Sequence, residues 1–267
     1  MRNRSIALSP HSDDVAFSLG AMLVDGRFDN LTVVTVFSVS SCTECGGIGT
    51  SRVTELRKAE DEAFFGAMKR RPELLHLDRI DAPLRLGITE EEVCEGLLGG
   101  ADDVEVEQLW DYLKHTVQEG ALLIAPLGLG GHIDHLSVHR AACLMMEFGY
   151  AVALYEDLPY AGSLPLRAIK DTVDEVQESW DTVLTPALVH SSAGARAKIA
   201  SVGVYRSQIN PRTVDRIVAH GVRLGGDRIA ERLWCNGRAL ELVHNALLPQ
   251  GLSEGSSVPC RRRGAKE

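Results

Sequence analysis

The short turn His11-Ser12-Asp13-Asp14 sets an imidazole and two carboxylates directly behind the apolar stretch Ile6–Leu8. A second knot of the same residue types, Gly130-Gly131-His132-Ile133-Asp134-His135, follows the apolar stretch Ala121–Ala125 after a short loop. Imidazole nitrogen and carboxylate oxygen suit Zn²⁺ and related divalent ions. A catalytic zinc takes three protein ligands and keeps a further position for water or substrate. A ligand pair from the first turn and one histidine from the second would supply that set. Zinc lowers the pKa of a water toward ~7. A carboxylate outside the ligand set could take the water's proton, and an unligated histidine could stabilise the oxyanion or protonate a leaving group. Each residue alone has a plainer use. Asp13 or Asp14 could cap a helix starting at Val15, and His132 or His135 could be an ordinary surface or core histidine. Two dense clusters behind two strand patterns favour metal chemistry.

Such clusters need elements that hold them together, and strand and helix patterns alternate along the chain. Strands are expected at Ile6–Leu8, Leu31–Phe37, Leu74–Leu77, Ala121–Ala125 and Val152–Tyr155, where β-branched or continuous apolar runs occur. Helices are expected at Val15–Val24, at Ser51–Met68 with Ser51 as cap, at Val106–Val117 and at His135–Phe148. Thr89-x-x-Glu92 has the form of a capping box opening a short helix that ends at Gly99-Gly100. After residue 160 the pattern weakens. It suggests a helix at Pro165–Asp171, strand-like pieces at Trp180–Leu184 and Ala187–His190, a helix at Ala193–Gln208, and a segment Arg228–Leu233 packing on the rest. Alternation of this kind predicts an α/β fold: a Rossmann-like, doubly wound, mainly parallel sheet with helices on both faces. Ligands of such sheets sit at the carboxyl ends of the strands, near the topological switch point. Both clusters occupy strand-to-helix turns there.

The 267 residues carry a formal net charge of -9, which disfavours a general nucleic-acid role. No G-x-G-x-x-G follows the first strand pattern and no P-loop occurs, which argues against nucleotide binding. No signal peptide is visible and no apolar run approaches the ~18 residues of a membrane span, so a cytoplasmic protein without a membrane partner is expected. The six cysteines are scattered, unlike a disulfide framework. Cys42-Thr-Glu-Cys45 is one C-x-x-C without a second pair, and reads as two thiols in the loop Ser38–Gly49. Residues 1–250 are expected to form one domain, and 251–267 a disordered polar tail.

Ser9-Pro-His-Ser-Asp-Asp14 resembles the "PHPDD" signature of the LmbE-like, or PIG-L, zinc-dependent de-N-acetylases, and Gly131-His-Ile-Asp-His135 resembles their "GHPDH" signature. Arg57-x-x-Glu60, Asp81-Ala-Pro-Leu-Arg85, Tyr155-Glu-Asp-Leu-Pro-Tyr160 and Tyr205-Arg-Ser-Gln208 look like further landmarks. The resemblance implies His11, Asp14 and His135 as zinc ligands, with Fe²⁺ or another divalent ion as a substitute. It implies Asp13 as general base, His132 as stabiliser of the tetrahedral intermediate and general acid, and Asp134 as the group that orients a histidine. Arg57 and Asp81 become candidate sugar-binding residues, although Arg57 could instead pair with Glu60 or Asp61 along its helix. The implied reaction removes an N-acetyl group from an amino-sugar-containing small molecule, releasing acetate and an amine. A homo-oligomer is compatible with the family.

Two other readings stand beside this one: a zinc amidase for a non-sugar amide or thiol conjugate, and a sugar-binding module with an idle metal site. Ser12 and Ile133 replace prolines of the signatures, and Val15 replaces an acidic residue. Gly130 stands where mycothiol-pathway deacetylases carry a tyrosine, which argues against that substrate. The loop Ser38–Gly49 and the segment Leu86–Asp103 are expected to shape the pocket, and Tyr205 and Gln208 to serve the core or an interface.

Overall fold

A computed structural model describes residues 4–89, 92–93 and 100–247. Seven strands form one sheet: β1 (Ser5–Ser9), β2 (Leu31–Thr35), β3 (Glu73–His76), β4 (Leu122–Pro126), β5 (Ala151–Tyr155), β6 (Thr185–His190) and β7 (Ala230–Cys235). Their order is β3-β2-β1-β4-β5-β7-β6. The first five are mutually parallel, and β7 runs antiparallel between β5 and β6. The α/β, mainly parallel, doubly wound sheet expected from the sequence is the observed fold.

Strands β1, β2, β4 and β5 are buried at every position, as strands covered on both faces must be. The helices that cover them include α1 (Asp14–Val24), α2 (Thr50–Gly66), the short α3 (Ala82–Leu86), α4 (Asp103–Thr116) and α5 (Ile133–Glu147). After β5 come α6 (Tyr160–Ser163), α7 (Leu166–Ser179), α8 (Gly194–Val202), α9 (Pro211–Gly225) and α10 (Gly237–Leu247). None is long and apolar enough to cross a membrane.

Helix α1 is buried along almost its whole length. One polar device is built into it. Glu231 of β7 accepts the Ala21 and Met22 amides at 2.9 and 2.8 Å and pairs with Lys198 of α8, whose ammonium donates to the Phe17 carbonyl. A buried ion pair thus serves backbone groups in the middle of the helix that carries Asp14.

Several sequence expectations need correcting. Trp180–Leu184 is no strand: α7 runs to Ser179, Asp181 turns at φ 43°, and the Leu184 amide donates to Gln177. Its β-branched and apolar residues Thr182, Val183 and Leu184 have strand-like types but sit in a turn. The helix expected at Ala193–Gln208 stops at Val202, because Gly203 ends it and the following turn is tied down by Glu60 and Asp61. Ser51 caps nothing; Gly49 holds the N-cap position of α2. Arg228–Leu233 contains a full strand, β7. Helices α9 and α10 were not expected, although Asn210-Pro211 is a cap followed by a proline in the first turn, and Asn210 does accept the Thr213 amide at 3.1 Å. Thr89 and Glu92 make the reciprocal capping-box bonds. The body of that helix, and the tail 251–267, lie outside the described residues.

Candidate active site

Strand β1 pairs with β2 on one side and β4 on the other, so the chain reverses its winding between β1 and β4. The turns leaving these two strands diverge and open a crevice at their carboxyl ends. His11, Asp13 and Asp14 leave β1; His132, Asp134 and His135 follow β4. All six are buried. The plain capping role fails for Asp13: it holds the N-cap position of α1 at φ 141° without a side-chain cap bond. The Asp14 carboxylate bonds back to the His11 amide at 2.7 Å.

Asp14 Oδ2 lies 3.5 Å from His11 Nδ1 and 3.4 Å from His135 Nε2. The three donor groups lie within 4.8 Å of one another. Two donors each bound at ~2.1 Å to one tetrahedral ion stand about 3.4 Å apart, so the spacing fits a divalent metal. The opposite nitrogens are held by carboxylates. His11 Nε2 meets Asp134 Oδ2 at 3.0 Å, and His135 Nδ1 meets Asp157 Oδ1 at 2.8 Å. Metal-binding histidines characteristically show this pattern. A second group, His11, His132 and Asp134, is also close enough. It fits worse: Asp134 is already spent on His11, on the Ala82 amide at 2.8 Å and on Arg85 at 2.9 Å.

Burial opposes the charge on Asp14, but His135 and His11 win and hold it at about 2. Burial likewise opposes Asp134, and the His11 hydrogen bond with Arg85 nearby keeps it at about 2. Asp13 goes the other way. Burial pushes it up to about 8, against the Arg57 guanidinium 3.6 Å away, and the Asp14 charge adds to the rise. His132 is held well below the usual histidine range by burial and by repulsion from His11 and His135. Its Nδ1 accepts the Asp134 amide at 3.2 Å, so the neutral ring carries its proton on Nε2.

Arg57 does not pair along its helix. It reaches Asp13 and donates to Ser40 Oγ at 2.9 Å, while Glu60 accepts from Ser207 and Asp61 from the Tyr205 hydroxyl. Asp81 caps α3 through the Leu84 amide at 3.3 Å and also borders the crevice. The crevice is a cleft of about 160 Å³ lined by His11, Asp13, Arg57, Asp81 and His132, with Cys42, Tyr160 and Gln208 among its other walls. Cys42 and Cys45 are unbridged. No described residue of 86–103 lines the cleft. Tyr205 is a core residue, whereas Gln208 has a second aspect as cleft wall.

Two contributors had no role in the sequence reading. Asp157 sits inside the quoted run Tyr155–Tyr160, and its other oxygen accepts the Gly128 and Leu129 amides at 2.9 and 3.1 Å. Arg85 sits inside Asp81–Arg85 and anchors Asp134. Asp157 follows β5, the strand beside β4, and that adjacency was its available signal; Arg85 follows β3, two strands from β1, and had none.

The chain matches no family model. The 2'-N-acetylparomamine deacetylase of Streptomyces fradiae is 32% identical to it over 248 residues, 89% of this chain and 83% of that protein. The chain belongs to the family of that deacetylase. Solved deacetylases share the fold. The A40926 pseudoaglycone deacetylase superposes with a TM-score of 0.61 at 22% identity, covering 90% of this chain and 99% of its own. A zinc-inhibited form of teicoplanin deacetylase gives a TM-score of 0.61 at 19% identity, covering 88% and 98%.

Proposed function

We propose that this member of the deacetylase family is a zinc-dependent hydrolase of the LmbE-like, PIG-L type that removes an N-acetyl group from an amino-sugar-containing small molecule of natural-product metabolism. The observation that carries the proposal is Asp14 between His11 and His135, each histidine backed by its own carboxylate. His11, Asp14 and His135 would hold the ion. A divalent ion in that place supplies Lewis acidity, polarising the amide carbonyl and drawing the pKa of water toward ~7.

The remaining work falls to side chains. Asp13 takes the proton of the attacking water and passes it on. His132, neutral with Nε2–H as donor, stabilises the oxyanion of the tetrahedral intermediate. As general acid it would pass the Nε2 proton to the leaving amine and be reprotonated by Asp13. Asp134 fixes the His11 ring. Arg57 and Asp81, on the β2 and β3 side of the cleft, contact the sugar. Water and the amide give acetate and the free amine.

An amidase for non-sugar substrates would use the same centre. The amino sugar for which the Streptomyces fradiae deacetylase is named favours the sugar substrate. A panel of 2'-N-acetylparomamine, N-acetylglucosamine and simple N-acetyl alkylamines separates them. Acetate release from the sugars and not from the alkylamines is expected. Equal release from both classes would replace this reading with the amidase.

A further inference from the structure

Tyr160 opens α6, three residues beyond Asp157, and its ring stands edge-on to His135 with centroids 5.5 Å apart. The same ring occupies the space above Gly130. Gly130 has φ +87°, and a Cβ added there would fall inside the Tyr160 ring. Positions 130 and 160 therefore share one side-chain volume, and this chain fills it from position 160.

That wall is held firmly. Arg223 of α9 donates to the Ala161 and Leu164 carbonyls at 2.9 and 2.8 Å, and the Ala161 amide donates to the Asp157 carbonyl at 2.8 Å. Its place in the sheet gives it a side. Arg57 and Asp81 reach the cleft from segments following β2 and β3, whereas Tyr160 follows β5, across the β1/β4 centre. With the sugar toward Arg57 and Asp81, as proposed above, the acyl group of a scissile amide at that centre faces β5.

We propose that the Tyr160 ring closes the acyl side of the cleft and is a specificity-determining residue that limits the acyl group to about the size of acetyl. The inference rests on the deacetylase reading above. In a close-fitting apolar pocket each methylene changes kcat/KM by about 10-fold to 200-fold.

The test compares kcat/KM for N-acetyl, N-butyryl and N-hexanoyl forms of the amino sugar that the wild type cleaves best. Their ratio does not depend on how much of a variant is correctly folded. The wild type and Tyr160→Phe should prefer acetyl over butyryl, which is two methylenes longer, by about 100-fold or more. Tyr160→Ala should bring the two within about threefold. Gly130→Ala should lower the melting temperature strongly in the wild type and less beside Tyr160→Ala, where the clash partner is gone and only the cost of a side chain at φ +87° remains. A wild type indifferent to acyl length, or a Tyr160→Ala variant that loses every substrate in proportion, overturns the acyl-wall proposal and leaves the deacetylase reading standing. A wild type that releases no acid from any of these sugars refutes the deacetylase reading itself.

Discussion

Asp157 joins His135 to the sheet: one oxygen takes the ring Nδ1 at 2.8 Å, and the other takes two backbone amides of the loop leaving β4. The carboxylate thus fixes the tautomer and orientation of a proposed metal ligand from a neighbouring strand end. Asp157→Asn should weaken zinc affinity by about 10-fold to 100-fold, measured by competition with a chromophoric chelator. Unchanged affinity would remove Asp157 from the centre.

Asp13 should separate chemistry from metal binding. Asp13→Asn should keep about one zinc per chain while kcat falls by about 10²–10⁴. Single-turnover acetate release, with metal content measured on the same sample, checks this. Near-normal turnover would assign the base elsewhere.

The sequence carried the two centres of this account unevenly. Both histidine–aspartate clusters stood out because metal-binding residues were packed into turns behind apolar runs. The parallel sheet was legible because β1, β4 and β5 are buried on both faces and therefore read as unbroken apolar stretches. Asp157 and Arg85 were not legible as site residues. Each is one ordinary charge in a loop, and only the strand order brings it to a histidine or an aspartate. Trp180–Leu184 misled for a local reason, since a left-handed Asp181 turns a chain whose Thr182, Val183 and Leu184 have strand-like types. The antiparallel β7 escaped full recognition because the charged pair Glu231-Arg232 interrupts its apolar residues, although the Glu231 charge is consumed inside the protein by Lys198 and two helix amides.

That ion pair gives a stability prediction. Lys198→Met leaves the buried Glu231 uncompensated and should cost about 3–5 kcal/mol. Adding Glu231→Gln should recover part of the loss, because no buried charge is then left unpaired, although the Gln carbonyl can accept only one of the two α1 amides in place. Urea melts of the two variants check the order. A Lys198→Met variant as stable as the wild type would contradict it.

Glu156 sets an acid limit on the fold. Burial would raise its pKa, but the His220 hydrogen bond at 2.6 Å and Arg232 outweigh that and hold it below the usual glutamate value. A lowered folded pKa means a contribution that is whole above the unfolded value of about 4.3 and lost as pH falls through the folded one. The stability difference between wild type and Glu156→Gln should therefore shrink on going from pH 6 to pH 3.5 in denaturant melts. A difference that stays constant with pH would show that the Glu156 charge does not stabilise the fold.

The central claim is hydrolysis of an N-acetyl amino sugar at a metal held by His11, Asp14 and His135. The most direct measurement is acetate release from 2'-N-acetylparomamine by the protein as purified, after chelation, and after one equivalent of zinc is restored, beside a His135→Ala variant. Release should disappear with the metal, return with zinc, and stay absent in the variant. Release that survives complete removal of metal, or a His135→Ala variant as active as the wild type, would contradict it.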